Sequence, residues 1–149
     1  MRIDEAAVGD ADILTHLALD SKRHWGYDDA FMERCRDELT VSEADVATHR
    51  VLVAREAERV LGFYQLLPLD KSCVDLDMLF VEPRSVGTGV GGALMRHAMS
   101  AARGDGALTL RITADPFAVP FYEHFGAVLV GSSLASSTGR TLPVYDIAL

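Results

Sequence analysis

Cysteine is scarce in this chain, and the residues that most often bind metals are scattered along it. The two cysteines, Cys35 and Cys73, are far apart and form no C-x-x-C pair, which argues against a disulfide framework and a cysteine-based zinc site. The five histidines show no ligand spacing such as H-E-x-x-H. We therefore expect a protein without a metal ion.

Long apolar runs and a leader segment are also missing. No stretch approaches the roughly 18 consecutive apolar residues that a membrane-spanning helix needs. Residues 1–5 lack the apolar run of a signal peptide. The sequence therefore predicts a cytoplasmic protein with no membrane partner.

Basic residues are outnumbered by acidic ones. The chain has 14 lysine and arginine residues against 22 aspartate and glutamate residues, which gives a formal net charge of −8. A negative protein repels the phosphates of nucleic acids and attracts cationic small molecules. We expect no nucleic-acid partner.

The composition that remains is that of one globular domain over residues 1–149, with 49% hydrophobic and 24% charged residues. Hydrophobic periodicity and turn residues predict the element order β-α-α-β-β-β-α-β-α-β-β. The predicted strands are residues 2–6, 51–54, 60–67, 74–81, 107–112, 127–130 and 143–148, and the predicted helices begin near residues 10, 28, 90 and 116. Residues 131–141 are predicted to form a loop or a hairpin connection.

The fourth predicted strand carries two carboxylates. Strict alternation along residues 74–81 places one set of side chains on one face, Asp75, Asp77, Leu79 and Val81, and the other set on the opposite face, Leu76, Met78 and Phe80. Two like charges at neighbouring positions of one face raise the pKa of one of them. The alternative is that both carboxylates are simply solvated.

A glycine-rich segment, Gly87-Thr88-Gly89-Val90-Gly91-Gly92, connects this strand to the next helix. Such a turn forms an anion site, because unpaired backbone amides and the positive end of the helix dipole converge there.

The glycine spacing also satisfies the dinucleotide fingerprint G-x-G-x-x-G. That fingerprint belongs after the first strand, whereas these glycines follow the fourth, and too little chain follows them for a dinucleotide-binding fold. A P-loop is excluded because Ala93 and Leu94 stand where it needs Lys and Ser or Thr. A tight turn without a ligand is the remaining alternative.

Two segments together resemble the signatures of the GNAT superfamily of N-acetyltransferases. The first, Leu79-Phe80-Val81-Glu82-Pro83 followed by Gly87-Thr88-Gly89-Val90-Gly91, is similar to motif A of that superfamily. The second is Ala114-Asp115-Pro116 with Phe121-Tyr122-Glu123-His124-Phe125-Gly126-Ala127. The element order agrees from end to end, so the resemblance covers essentially the whole chain.

The resemblance implies a fold and a cosubstrate. The fold is of the α/β (α+β) class, a mixed, mostly antiparallel central sheet of six to seven strands flanked by about four helices. The cosubstrate is acetyl-CoA, whose pantetheine arm would pair with the strand at Leu79, Phe80 and Val81. Its pyrophosphate would sit on the amides of the turn, namely Val86, Gly87, Thr88, Gly89, Val90 and Gly91. Phe117 and Tyr122 complete the implied cofactor site.

The implied reaction transfers an acetyl group to a primary amine of a small molecule or peptide by direct attack on the thioester. The resemblance assigns Tyr122 as the acid that protonates the CoA sulfur, and Asp75 or Asp77 as the base. The loop residues His24, Trp25 and Tyr27 lie where the superfamily builds its acceptor pocket, and their aromatic faces could hold an ammonium by cation–π contact. For the tyrosine and the loop, a half-buried core aromatic and an ordinary surface loop are the alternatives.

Two departures from the superfamily pattern favour a rival function. Val86 replaces the Gln or Arg that usually precedes the first loop glycine, and Phe117 replaces an Asn that many members carry. The rival is a non-catalytic acyl-CoA-binding or regulatory module of the same fold. The oligomeric state stays open between a monomer and a homodimer, because free edges of small sheets often pair between copies.

Overall fold

A computed structural model describes residues 1–149 and contains one sheet with helices on both faces. The seven strands are β1 (Arg2–Glu5), β2 (Arg50–Glu56), β3 (Arg59–Pro68), β4 (Cys73–Val81), β5 (Thr109–Thr113), β6 (Val128–Ala135) and β7 (Arg140–Ala148). The five α-helices are α1 (Ala11–Arg23), α2 (Asp29–Leu39), α3 (Glu43–Thr48), α4 (Val90–Gly104) and α5 (Val119–His124). No helix is both long enough and apolar enough to cross a membrane.

The sheet has the strand order β1-β2-β3-β4-β5-β7-β6. All neighbouring strands are antiparallel except β4 and β5, which are parallel. The predicted mixed, mostly antiparallel sheet is therefore confirmed. The parallel pair is short, because only residues 73–75 of β4 pair with residues 109–111 of β5. Beyond Asp75 the two strands separate and leave a cleft in the middle of the sheet.

The register between β3 and β4 slips by one residue at Asp77. Gln65 pairs with Met78 and Leu66 pairs with Leu76, so Asp77 has no partner on β3 and forms a β-bulge. As a result Leu76 packs in the core under α4, whereas Met78 packs in the core under α1 and α2. The prediction that Leu76 shares a face with Met78 and Phe80, opposite Leu79 and Val81, was wrong, because strict alternation holds only where the pairing is uninterrupted.

Two hydrophobic cores cover the faces of the sheet. On one face α4 contributes Leu94 and Ala98, which pack with Tyr64 of β3 and Leu110 of β5. On the other face α1 and α2 pack mainly over β2, β3 and β4, with Leu14, Phe31 and Phe63 among the buried residues. The helices α1 and α2 therefore leave the β5, β7 and β6 part of that face more open.

Two elements were not predicted from the sequence. Helix α3 begins with a capping box in which the Ser42 hydroxyl accepts from the Asp45 amide and the Asp45 carboxylate accepts from the Ser42 amide. The hairpin of β6 and β7 is also longer than expected, since β6 continues to Ala135 and β7 begins at Arg140. The residues predicted as a loop or hairpin connection therefore form a hairpin with a short turn.

Candidate active site

The glycine turn before α4 presents a row of free backbone amides. Gly87 and Gly89 have positive φ angles of 81° and 95°, a conformation that favours glycine and turns the chain sharply into the helix. The amides of Gly87, Gly89, Val90, Gly91 and Gly92 have no hydrogen-bond partner in the protein. Five donors at the positive end of a 15-residue helix form a site for an anion.

The predicted set of amides needs adjustment at two positions. The amide of Val86 donates to the Pro83 carbonyl at 3.4 Å, and the amide of Thr88 donates to the Ser85 carbonyl at 3.2 Å. These two bonds hold the turn together, while the Gly92 amide joins the free donors. Val86 is 58% exposed.

The same turn borders the cleft between β4 and β5. A β-carbon on Gly91 would lie 3.5 Å from Val81 and 3.7 Å from Phe121 of α5, so the start of α4 packs against the end of β4 and against α5. Leu79 and Val81 pack toward the core under α4, and Phe80 packs toward the core under α1 and α2. The backbone of these three residues has no strand partner on the side that faces β5.

Tyr122 lies in α5 and is buried among the residues under α4. Its hydroxyl makes no hydrogen bond to another protein group. Burial, aided by the negative charge of Asp115, raises the pKa of Tyr122 well above its usual range. The hydroxyl therefore keeps its proton at neutral pH and can donate it to a stronger base.

Asp75 and Asp77 lie at the closed end of the cleft. Burial, followed by the negative charge of Asp77, raises the pKa of Asp75 to about 6, against the opposing effect of Arg111. The pKa of Asp77 is also raised, because the surrounding protein displaces part of the water around its carboxylate. The residue is still exposed to solvent. The Nε2 amide of Gln65 opposes this shift by donating to Asp77 Oδ2 at 2.8 Å. The negative charge of Asp77 thus raises the pKa of Asp75, which is the effect expected for two neighbouring carboxylates.

A polar network joins the predicted acceptor loop to the segment after β5. The Asp115 carboxylate accepts from Lys22 Nζ at 3.1 Å and from the Tyr27 hydroxyl at 2.9 Å. Arg140 of β7 donates to the Tyr27 hydroxyl at 2.8 Å and lies 3.7 Å from Asp115. Burial acts to raise the pKa of Asp115, but the Phe117 amide and Lys22 outweigh it and hold the pKa below its usual range.

The aromatic residues of the predicted acceptor loop have protein partners. The Arg140 guanidinium lies 5.1 Å from the Tyr27 ring and 4.6 Å from the Phe31 ring, so the protein's own cation covers these faces. Trp25 stacks on Phe117, and His24 lines an open groove of about 530 Å³ beside Pro83. The structure thus brings Trp25 and Tyr27 together with Phe117, while His24 faces the turn that precedes α4.

Sequence reasoning missed Lys22, Gln65 and Arg140. A signal existed for Gln65, which is the one polar side chain in the run from Val60 to Leu67 apart from the Tyr64 hydroxyl. No comparable signal marked Arg140, because its partner Tyr27 is 113 positions away in the chain.

Comparisons with known proteins agree with this architecture. The family model of the acetyltransferase (GNAT) domain matches residues 13–141. A GCN5-related N-acetyltransferase from Rhodopseudomonas palustris has a similar structure, with a TM-score of 0.83 and 23% identity over 99% of this chain and 95% of that one. None of the curated protein sequences matches the chain.

A second similar structure is the PaiA N-acetyltransferase from Thermoplasma acidophilum in complex with coenzyme A. It has a TM-score of 0.85 and 16% identity, over 99% of this chain and 98% of that one. An aminoglycoside 6'-N-acetyltransferase in complex with coenzyme A has a TM-score of 0.74 and 17% identity, over 99% and 97% of the two chains. With a family model that spans most of its length and a sheet whose two parallel strands separate beyond Asp75, this chain belongs to the GNAT acetyltransferase family.

Proposed function

We propose that this protein binds acetyl-CoA and transfers its acetyl group to a primary amine of a small molecule or peptide. The observation that carries the proposal is the row of five free amides at the start of α4, directly beside the cleft between β4 and β5. Family membership supports acyl transfer in general. The similar structures that contain coenzyme A support this choice of cosubstrate.

The turn and the strand before it fit the two halves of the cosubstrate. The free amides of Gly87, Gly89, Val90, Gly91 and Gly92 would hold its pyrophosphate. The unpaired edge of β4 at Leu79, Phe80 and Val81 would pair with the amides of its pantetheine arm, beside Phe117 and Tyr122.

Arg96 offers a side-chain cation where Val86 offers none. Its Nη1 atom lies 3.2 Å from the position of a β-carbon on Gly92, and no acidic side chain pairs with it. A guanidinium at the positive end of a helix is unfavourable until an anion arrives. We therefore include Arg96 among the residues that would bind the phosphates.

The reaction requires a base because the acceptor amine is protonated at neutral pH. An amine with a pKa of about 10.4 costs roughly 4–5 kcal/mol to deprotonate at pH 7. Asp75 and Asp77 supply negative charge and a proton acceptor at the closed end of the cleft. Tyr122 would protonate the departing CoA sulfur, and His24, Trp25 and Tyr27 would border the acceptor.

A calorimetric titration with acetyl-CoA tests the proposal. We expect saturable binding with 1:1 stoichiometry, and a roughly 5- to 10-fold weaker affinity for Arg96→Ala, the range of an exposed charge-assisted contact. Arg103→Ala, at the other end of the same helix, is the matched control and should bind as the wild type does. Absence of binding by the wild type at hundreds of micromolar would overturn the proposal.

The rival function is distinguished by turnover. An acceptor screen that detects free thiol should find at least one primary amine that consumes acetyl-CoA. If acetyl-CoA binds but no amine in a broad screen increases thiol release above hydrolysis, the chain is a non-catalytic acyl-CoA-binding module.

For the homodimer we propose the outer edge of β6 as the interface. This strand carries no charge and no proline, unlike the charged strand β1 at the other edge, and a single bulge at Val130 is the one irregularity in its pairing with β7. Two copies of charge −8 would also repel each other least along an uncharged strand. Its large apolar side chains are between 53% and 67% exposed, namely Val128, Leu129, Val130 and Leu134.

Light scattering tests this interface. We expect a dimer at tens of micromolar protein and a monomer for Leu129→Lys, which introduces a positive charge into the same strand of both copies. Leu108→Lys, at an exposed leucine outside β6, should remain dimeric. A monomeric wild type would rule the interface out.

A further inference from the structure

Gln65 is a buried polar side chain with an incomplete set of hydrogen bonds. It is only 3% exposed, and its Nε2 amide donates to Asp77 Oδ2 at 2.8 Å. Its Oε1 atom has no partner. A buried amide with an unsatisfied oxygen destabilises a fold, so packing does not explain its presence.

The bulge gives Gln65 this contact. Asp77 is the extra residue between Leu76 and Met78, and it lies next to the Gln65–Met78 pair. Without the slip in register, alternation would turn the Asp77 side chain to the other face of β4. The amide donor and the carboxylate acceptor therefore meet because of the bulge.

Asp75 has a different environment. It accepts no hydrogen bond, although Arg111 of β5 lies opposite it in the register. The Arg111 guanidinium is engaged by the Asp146 carboxylate of β7 through two bonds of 2.9 and 3.0 Å. Asp75 therefore faces an arginine that is already paired, together with the negative charge of Asp77.

Charged groups on α3 also act on the pair. Asp45 of α3 raises and His49, which follows α3, lowers the pKa of Asp77, and His49 Nδ1 lies 3.4 Å from Asp45 Oδ1. Their effects on Asp77 oppose each other. The specific difference between the two carboxylates is the amide donor that only Asp77 has.

We propose that Gln65 is a positioning residue that keeps Asp77 ionised in the bulge, so that Asp75 is the carboxylate that takes a proton from the acceptor ammonium. This inference rests on the proposed function and deepens it. A hydrogen bond to a carboxylate stabilises its charged form, whereas a nearby negative charge favours protonation. A proton taken up by the pair therefore goes to the carboxylate without a donor, which is Asp75. Asp77 stays negative and attracts the ammonium.

One N–H proton of the ammonium moves to Asp75 and frees the nitrogen lone pair, which forms the N–C bond to the acetyl carbon. The C–S bond breaks and the sulfur receives the Tyr122 proton. A second N–H proton, lost as the amide forms, restores the tyrosine, and Asp75 releases its proton to solvent. Each turnover thus yields one amide, one thiol and one proton in solution.

Carbon-13 NMR of the side-chain carboxyl groups tests the inference without acetyl-CoA or an acceptor. In the wild type we expect Asp75 to titrate at a higher pH than Asp77. In Gln65→Met, which removes the donor while nearly preserving volume, the Asp77 midpoint should rise by about 0.5 pH unit or more. Phe63→Leu changes a buried neighbour on the same strand and should lower stability without moving either midpoint.

The pH dependence of kcat/KM provides the second readout. With an acceptor found in the screen, Gln65→Met should move the acidic limb to higher pH, and the same substitution in an Asp77→Asn background should not move it further. A role in packing alone would lower kcat/KM at every pH and leave the limb in place.

Three results would overturn the inference. They are a wild type in which Asp77 titrates above Asp75, a Gln65→Met protein with both midpoints unchanged, and an acidic limb that Gln65→Met does not move. If Gln65→Met does not fold, the wild-type titration decides by the order of the two midpoints. Because that titration needs no turnover, a protein that lacks acetyltransferase activity would still reveal whether Asp75 or Asp77 is protonated first as the pH falls.

Discussion

The indole ring of Trp25 stacks on the ring of Phe117, with centroids 5.3 Å apart and planes 6° from parallel. Trp25 follows α1, which packs on β3 and β4, whereas Phe117 follows β5. The stack therefore connects elements that belong to the two diverging strands. It also joins a residue predicted for the acceptor side to one predicted for the cosubstrate side.

Trp25 is the only tryptophan, so intrinsic tryptophan fluorescence reports on this stack alone. We expect acetyl-CoA to change the intensity or the wavelength of Trp25 emission, because the ligand would enter the cleft beneath the two rings. Phe117→Ala should shift the emission of the free protein to longer wavelength, since it exposes more of an indole that is already 43% exposed. An emission spectrum that is identical with and without saturating acetyl-CoA would contradict this placement of the ligand.

Tyr122→Phe should reduce kcat by roughly 10²-fold, the lower end of the effect of a positioned acid. The phenylalanine ring preserves the packing under α4, so acetyl-CoA affinity and thermal stability should change little. Tyr145→Phe removes the hydroxyl of another buried tyrosine in the same core and is the control. Equal turnover of the wild type and Tyr122→Phe would remove Tyr122 from the role of acid.

Asp75→Asn should stabilise the protein near pH 7 and have little effect near pH 4. The folded protein raises the pKa of Asp75 from 3.8 to about 6, so ionisation destabilises the fold as the pH rises through this range. The asparagine avoids this penalty, and we expect a gain of about 1–2 kcal/mol at pH 7, reduced for partial exposure. Urea unfolding at both pH values measures this difference in the free energy of unfolding. Asp37→Asn, at an exposed site, is the control. A stability difference that does not grow with pH would contradict the assigned environment.

Asp115→Asn should destabilise the protein by about 2 kcal/mol, because it leaves Lys22 and Arg140 close together without a carboxylate. Hydrogen exchange of the connection between α1 and α2 should also accelerate, since Tyr27 loses its charged partner. Asp29→Asn removes an ion pair whose carboxylate is 95% exposed, and its effect should stay within about 0.5 kcal/mol. If the two variants lose equal stability, the network contributes no more than a surface pair.

Local sequence signals predicted much of the fold and the glycine turn before α4. The glycines at positions 87 and 89 predict a sharp turn into α4 because their positive φ angles are unfavourable for other residues. Helix α3 was not predicted because none of its residues is buried, which leaves no apolar periodicity to find. Its capping residues, Ser42 and Asp45, were the available signal.

The features that could not be predicted depend on pairing between distant segments. The bulge at Asp77 exists only in the register of β4 against β3, so no pattern within residues 74–81 reveals it. Arg140 reaches Tyr27 because the hairpin of β6 and β7 extends to α2, where Ser137 also meets Glu38. Contacts of this kind arise from tertiary geometry rather than from local residue preferences.

Because β4 pairs with β5 over only three residues, the sheet consists of two half-sheets with a short connection between them. One half carries α1 and α2, and the other leads into α5. A ligand that hydrogen-bonds to the free edge of β4 and contacts α5 would extend the connection between the two half-sheets. Binding of the ligand would therefore also complete the sheet. The resistance of the whole protein to unfolding would then follow the concentration of its cosubstrate.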